Sequence, residues 1–130
     1  MLFRSAEEMG LPFIYVRSAA KEHGKQNLIE GAYTSGQSVI VIEDLISSGK
    51  SSLEAVEALR KEGLNVKGLI SIFTYGLDAA TKNFKKEDCE FISLCNYSTL
   101  LKEAVKQDYI KQADLKVLEK WSENPSKWNK

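Results

Sequence analysis

Hydrophobic positions along this chain follow two rhythms, one helical and one extended. Leu2, Phe3, Ala6 and Met9 fall on one helical face that ends at Gly10, and Pro12 stops any continuation. This helix opens with the chain itself and has no Ser, Thr, Asp or Asn ahead of it as a cap. Phe13-Ile14-Tyr15-Val16 predicts a short strand. The polar stretch from Arg17 to Asn27 has no apolar period, and a connection of that length in a compact domain is characteristically functional or disordered.

Ser38-Val39-Ile40-Val41-Ile42-Glu43-Asp44 carries the strongest strand pattern, and its unbroken apolar run predicts a parallel strand covered on both faces. Helical spacing takes over from Ser51 to Arg60, where Leu53, Val56 and Leu59 lie a turn apart and Gly63 closes the element. A strand over Val66–Phe73, a short helix over Leu77–Phe84 and a strand over Phe91–Leu94 follow. Amphipathic helices over about Ser98–Val105 and Ala113–Trp121 complete the pattern. Strands alternating with helices predict an α/β fold, a parallel β-sheet flanked by helices. There is no internal repeat, linker or low-complexity segment, so residues 1–130 read as a single domain.

Composition narrows the function classes. With 43% hydrophobic and 28% charged residues, 130 residues suffice for a core without metal or disulfide staples. Eighteen basic and eighteen acidic residues balance, which argues against nucleic acid or an anionic membrane as partner. Cys89 and Cys95 fit neither a redox pair nor a zinc spacing and read as core thiols of a reducing cytosol. A single histidine, His23, makes a zinc hydrolase improbable, and no metal ligand is assigned to any residue. No apolar stretch approaches a membrane span or a signal-peptide core, so a cytoplasmic protein is expected.

In an open parallel sheet, ligands bind beyond the carboxyl ends of the strands. Three connections there stand out: Arg17–Asn27, Leu45–Ser51 and Thr74–Asp78. The second reads Leu45-Ile46-Ser47-Ser48-Gly49-Lys50-Ser51 and opens a helix, which offers small side chains, hydroxyls and amides at a positive helix end to a phosphate. The same residues also suit a plain helix cap, since Ser51 and Glu54 have capping-box spacing. Asp44–Ser51 nearly spells a nucleotide-binding P-loop, but Asp44 stands where the first glycine belongs and would repel a triphosphate. Glu43 and Asp44 beside a phosphate loop instead suit a ligand with both sugar hydroxyls and a phosphate.

At this point the chain resembles a known family. Residues 39–52, VIVIEDLISSGKSS, are similar to the phosphoribosyl-pyrophosphate motif of type I phosphoribosyltransferases, and residues 15–31, YVRSAAKEHGKQNLIEG, resemble the catalytic loop of orotate phosphoribosyltransferases. The resemblance implies a Rossmann-like type I fold and magnesium-dependent (Mg2+) transfer of ribose 5-phosphate from phosphoribosyl pyrophosphate to orotate, giving orotidine 5-phosphate and pyrophosphate in pyrimidine biosynthesis. It implies that Glu43 and Asp44 contact the ribose hydroxyls and that Ser47, Ser48, Gly49, Lys50 and Ser51 wrap the 5-phosphate, with Leu45 and Ile46 also counted among the substrate-binding residues. Arg17, Lys21 and His23 would meet the pyrophosphate, with Lys21 and Asp44 as the catalytic pair and residues 17–28 as a flexible loop. A homodimer sharing that loop across subunits is also implied. The cationic loop would stabilise charge on the departing pyrophosphate and exclude water.

Some positions depart from the family. Ser18 replaces a lysine found in many members, Lys50 occupies a small-residue position, and Phe73-Thr74-Tyr75-Gly76 stands where many bacterial members place an orotate-binding arginine. Family members also carry several dozen residues ahead of the helix with which this chain opens, so an amino-terminally truncated enzyme is the expectation. The rival readings are a non-catalytic nucleotide-binding or regulatory module with the same fold and, less favoured, a P-loop nucleoside triphosphatase.

Overall fold

A computed structural model describes residues 3–17, 28–125 and 128. The first apolar period yields α1 (Arg4–Glu8), with no side-chain cap at Phe3 and with Gly10 in the left-handed region at φ 64°. β1 (Tyr15–Val16) follows and pairs antiparallel with β2 (Ile29–Glu30) in a sheet of its own. This corrects the expectation of a parallel Phe13–Val16 strand. Two residues of pairing on the far side of a polar connection leave no apolar run from which β2 can be read.

The main sheet consists of β3 (Ser38–Ile46), β4 (Asn65–Thr74) and β5 (Phe91–Asn96), all parallel and adjacent in that order. Between them run α2 (Lys50–Lys61) and α3 (Asp78–Lys86), and α4 (Tyr97–Lys106) and α5 (Gln112–Glu123) follow. This is the α/β arrangement the alternating pattern predicts. Parallel pairing brings the ends of β3 and β4 side by side, with Ile46 opposite Thr74.

Side chains alternate across a strand, so one residue set of the sheet faces the helices. Val41, Leu69 and Phe91 are in register across the three strands and pack with Leu53 and Val56 of α2 and Ala80 and Phe84 of α3. The Phe84 ring is 2% exposed and lies 4.2 Å, centroid to centroid, from Phe91. A second cluster joins Ile29, Leu59 and Leu64 to Ile14, Val16 and Val39, which seats the β1–β2 hairpin against the end of α2 and the start of the sheet. Cys89 is buried in the first cluster and Cys95 is half-buried; both are free thiols.

The other face of the sheet is open among the described residues. Ile40, Ile42, Ile72, Ile92 and Leu94 are all exposed there, from 37% at Ile42 to 75% at Leu94. The expectation of a β3 covered on both faces is therefore corrected. The apolar run turns Val39 and Val41 to one face and Ile40 and Ile42 to the other, and α2 and α3 pack on the valine side alone.

Because Phe84 ties α3 to both the sheet and α2, Phe84→Ala should lower stability by about 3–5 kcal/mol. Urea unfolding at equilibrium measures this, and a loss under about 1 kcal/mol would mean that the cluster collapses around the cavity.

Candidate functional site

The strand, turn and helix of residues 38–61 form the centre of the site. β3 continues two residues past the acidic pair to Ile46, so the turn is only Ser47–Gly49 and α2 starts at Lys50. Gly49 is the residue preceding the helix, at φ 75°, and no side chain caps it. The capping box expected of Ser51 and Glu54 therefore does not form, because the helix begins before Ser51. Its first backbone bond runs from Leu53 N to Gly49 O at 2.9 Å. The amides of Lys50, Ser51 and Ser52 precede the helical ladder and face the positive end of the helix, an arrangement suited to an anion.

The core fixes this turn from behind. Ile46 is 1% exposed, and its carbonyl accepts from Tyr75 N at 3.0 Å and from Thr74 Oγ1 at 3.3 Å. Thr74 Oγ1 in turn accepts from Gly76 N at 3.1 Å, which joins the ends of β3 and β4 through one hydroxyl. A Cβ on Gly49 would overlap the Phe84 ring, so glycine is required there both by conformation and by space. Asn83 Nδ2 donates to Ser48 O at 3.0 Å. Within the expected Leu45–Ser51 contact segment, Ile46 is thus a core residue with its carbonyl engaged, while Leu45, Ser47, Lys50 and Ser51 are exposed.

The two carboxylates diverge. Glu43 is on the helix-facing side of β3, half-buried, and accepts a hydrogen bond from the Ser52 hydroxyl in the first turn of α2. Burial pushes its pKa up; the Ser52 bond partly offsets this, and the neighbouring Asp44 charge adds to the rise. Asp44 lies on the other side of the strand and is exposed. Glu43 is thus the oriented member of the pair and Asp44 the accessible one.

Arg17 closes the β1–β2 hairpin: its amide donates to Leu28 O at 2.8 Å, and its guanidinium pairs with Glu30 at 2.7 Å. Lys21 and His23, with Ser18 and the rest of the expected catalytic loop to Asn27, lie outside the described residues. In the third connection Tyr75 packs edge-on against Phe73 and Trp121 and sits 5.9 Å from Tyr97, which fastens α5 to the carboxyl edge of the sheet. Ser52, Thr74 and Asn83 are the site's supports that sequence reasoning left unassigned. Ser52 ends the quoted motif and could have been found there, whereas Asn83 is 35 residues from the carbonyl it holds and leaves no local signal.

No family model matches this chain. It is 52% identical over 125 residues to the orotate phosphoribosyltransferase of Cytophaga hutchinsonii, covering 96% of this chain and 60% of that protein. The orotate phosphoribosyltransferase structure from Aeropyrum pernix superposes with a TM-score of 0.69 at 26% identity, over 78% of this chain and 56% of that one. Leishmania donovani UMP synthase superposes with a TM-score of 0.74 at 28% identity, over 90% of this chain and 25% of that one. The chain is a homologue of the orotate phosphoribosyltransferases. It has the type I phosphoribosyltransferase fold and spans about 60% of the length of the curated relative.

Among the described residues of this phosphoribosyltransferase homologue, no three His, Cys, Asp or Glu side chains come together as a metal cage. Glu43 and Asp44 at the end of β3 offer carboxylate oxygens, and magnesium is commonly held by one or two carboxylates and completed by phosphate oxygens and water.

The burial of Glu43 gives a pH test. A carboxylate with a raised folded pKa takes up a proton in the native state before the unfolded chain does, so its contribution to stability improves as pH falls toward the ordinary value of 4.5. Glu43→Gln should therefore be more stable than the parent at neutral pH, with the difference shrinking toward pH 4.5. Urea midpoints measured across that range provide the comparison, and a pH-independent difference would show that Glu43 is not desolvated.

Proposed function

We propose that this chain carries the sugar-phosphate half of an orotate phosphoribosyltransferase site. The reaction transfers ribose 5-phosphate from phosphoribosyl pyrophosphate to orotate: the bond from ribose C1 to the pyrophosphate oxygen breaks, and a bond from C1 to the orotate nitrogen forms. The observation that carries this reading is the acidic end of β3 running directly into a glycine turn whose following amides open α2. The likeness to proteins named orotate phosphoribosyltransferase supports orotate as the acceptor.

In this reading the amides from Ser47 to Ser51, with the hydroxyls of Ser47, Ser48 and Ser51, hold the 5-phosphate. Asp44 accepts from the ribose hydroxyls, and Glu43, oriented by Ser52, supports it. Lys50 extends an exposed ammonium from the first residue of α2 and adds positive charge beside the phosphate. Lys21, with Arg17 and His23, stabilises charge on the departing pyrophosphate, and the loop they belong to excludes water on closing. Magnesium bound with the diphosphate would supply further neutralisation of the leaving group, and Asp44, the exposed carboxylate of the pair, is the side chain that would help hold it. A homodimer in which that loop serves the neighbouring subunit's site, working in the cytoplasm, completes the proposal.

Mixing the protein with phosphoribosyl pyrophosphate, magnesium and orotate and following orotate absorbance tests the reaction. Binding of the sugar phosphate without orotate consumption would favour a non-catalytic module instead. Asp44→Asn should weaken phosphoribosyl pyrophosphate binding by about tenfold or more, the scale of one charge-assisted hydrogen bond. Lys21→Ala should cut turnover about a hundredfold or more while leaving the melting temperature unchanged. A fully active Lys21→Ala protein would remove that residue from the chemistry.

A further inference from the structure

We infer that Asn83 is a positioning residue that aims the phosphate turn, an inference that rests on the sugar-phosphate reading of the site. A turn that binds an anion must present N–H groups to it and turn its carbonyls away, because a carbonyl oxygen directed at a phosphate repels it. Ser48 O is the carbonyl at the middle of this turn, and Asn83 Nδ2 holds it at 3.0 Å from the α3 side. The peptide linking Ser48 to Gly49 is planar and trans, so its C=O and N–H point in opposite directions. Drawing Ser48 O toward α3 therefore sends the Gly49 N–H the other way, out of the core.

Two further observations fit this role. Gly49 sits at φ 75° with the Phe84 ring filling the space a Cβ would take, so the residue next to Asn83 limits where the turn can go while Asn83 sets how its peptide is rotated. Asn83 itself is neither exposed nor fully buried, standing at the edge of the α3 face rather than inside the cluster that Phe84 joins. Its amide has the one chemistry the role needs: a neutral side chain with two N–H donors, which adds no charge beside the ligand.

The test combines 15N-resolved NMR on the full chain with titration of ribose 5-phosphate. Asn83→Ala should displace the Gly49 amide resonance in the free protein and weaken ribose 5-phosphate about tenfold, the scale of one hydrogen bond. Asn83→Gln, which keeps the donor, should recover most of the affinity. Arg60→Ala serves as the structural control, since Arg60 of α2 donates to Glu87 O at 2.7 Å and Asp88 O at 2.8 Å just past the end of α3, without touching the turn. It should lower stability without changing affinity. An Asn83→Ala protein with an unmoved Gly49 amide, or an Arg60→Ala protein that loses as much affinity, would overturn the inference. If the parent protein fails to bind ribose 5-phosphate, the sugar-phosphate reading falls, and the Gly49 resonance still decides whether Asn83 orients the turn.

Discussion

The ring of Phe84 occupies the space that a side chain at residue 49 would need. That exclusion makes the core and the candidate site a single object. The same ring stacks near Phe91 of β5 and packs with Leu53, Val56 and Ile46, so the sheet, α2 and the turn between them share one contact surface. A close-packed interior yields little to local displacement, and a turn that rests directly on it inherits that rigidity. Preorganised amides are worth more to an anion than amides that must first be arranged.

Parallel pairing supplies the second constraint. Ile46 and Thr74 are opposite one another, so the ends of β3 and β4 arrive together, and the carbonyl of Ile46 takes bonds from both Tyr75 N and Thr74 Oγ1. The phosphate turn and the third connection are thereby locked to each other. The aromatic group of Phe73, Tyr75, Tyr97 and Trp121 then fastens α5 to the same edge. In a chain of zero formal charge, this edge sets an acidic strand end against the positive end of a helix.

Much of this fold is legible in the residues. The run Val39–Ile42 and the spacing of Leu53, Val56 and Leu59 locate β3 and α2 to within a few residues, because burial imposes those periods. The hairpin of β1 and β2 is not legible: its pairing spans two residues on each side of a polar connection. Nor is the open face of the sheet, since Ile40 and Ile42 have the same apolar character whether or not a helix covers them. At the site, the motif reveals the acidic pair and the small residues but not their division of labour. Glu43 and Asp44 point to opposite sides of β3 only once the strand continues through them to Ile46. Ser52, Thr74 and Asn83 act through contacts between elements, and such contacts leave no trace in local spacing.

The most direct measurement is a crystal structure of this chain with phosphoribosyl pyrophosphate and magnesium. The 5-phosphate should rest against the amides that run from Ser47 to Ser51, with the ribose hydroxyls on Asp44. A phosphate held elsewhere, for example by the exposed lysines of α3, with Asp44 and the Gly49 turn untouched, would contradict the assignment of this turn as the sugar-phosphate site.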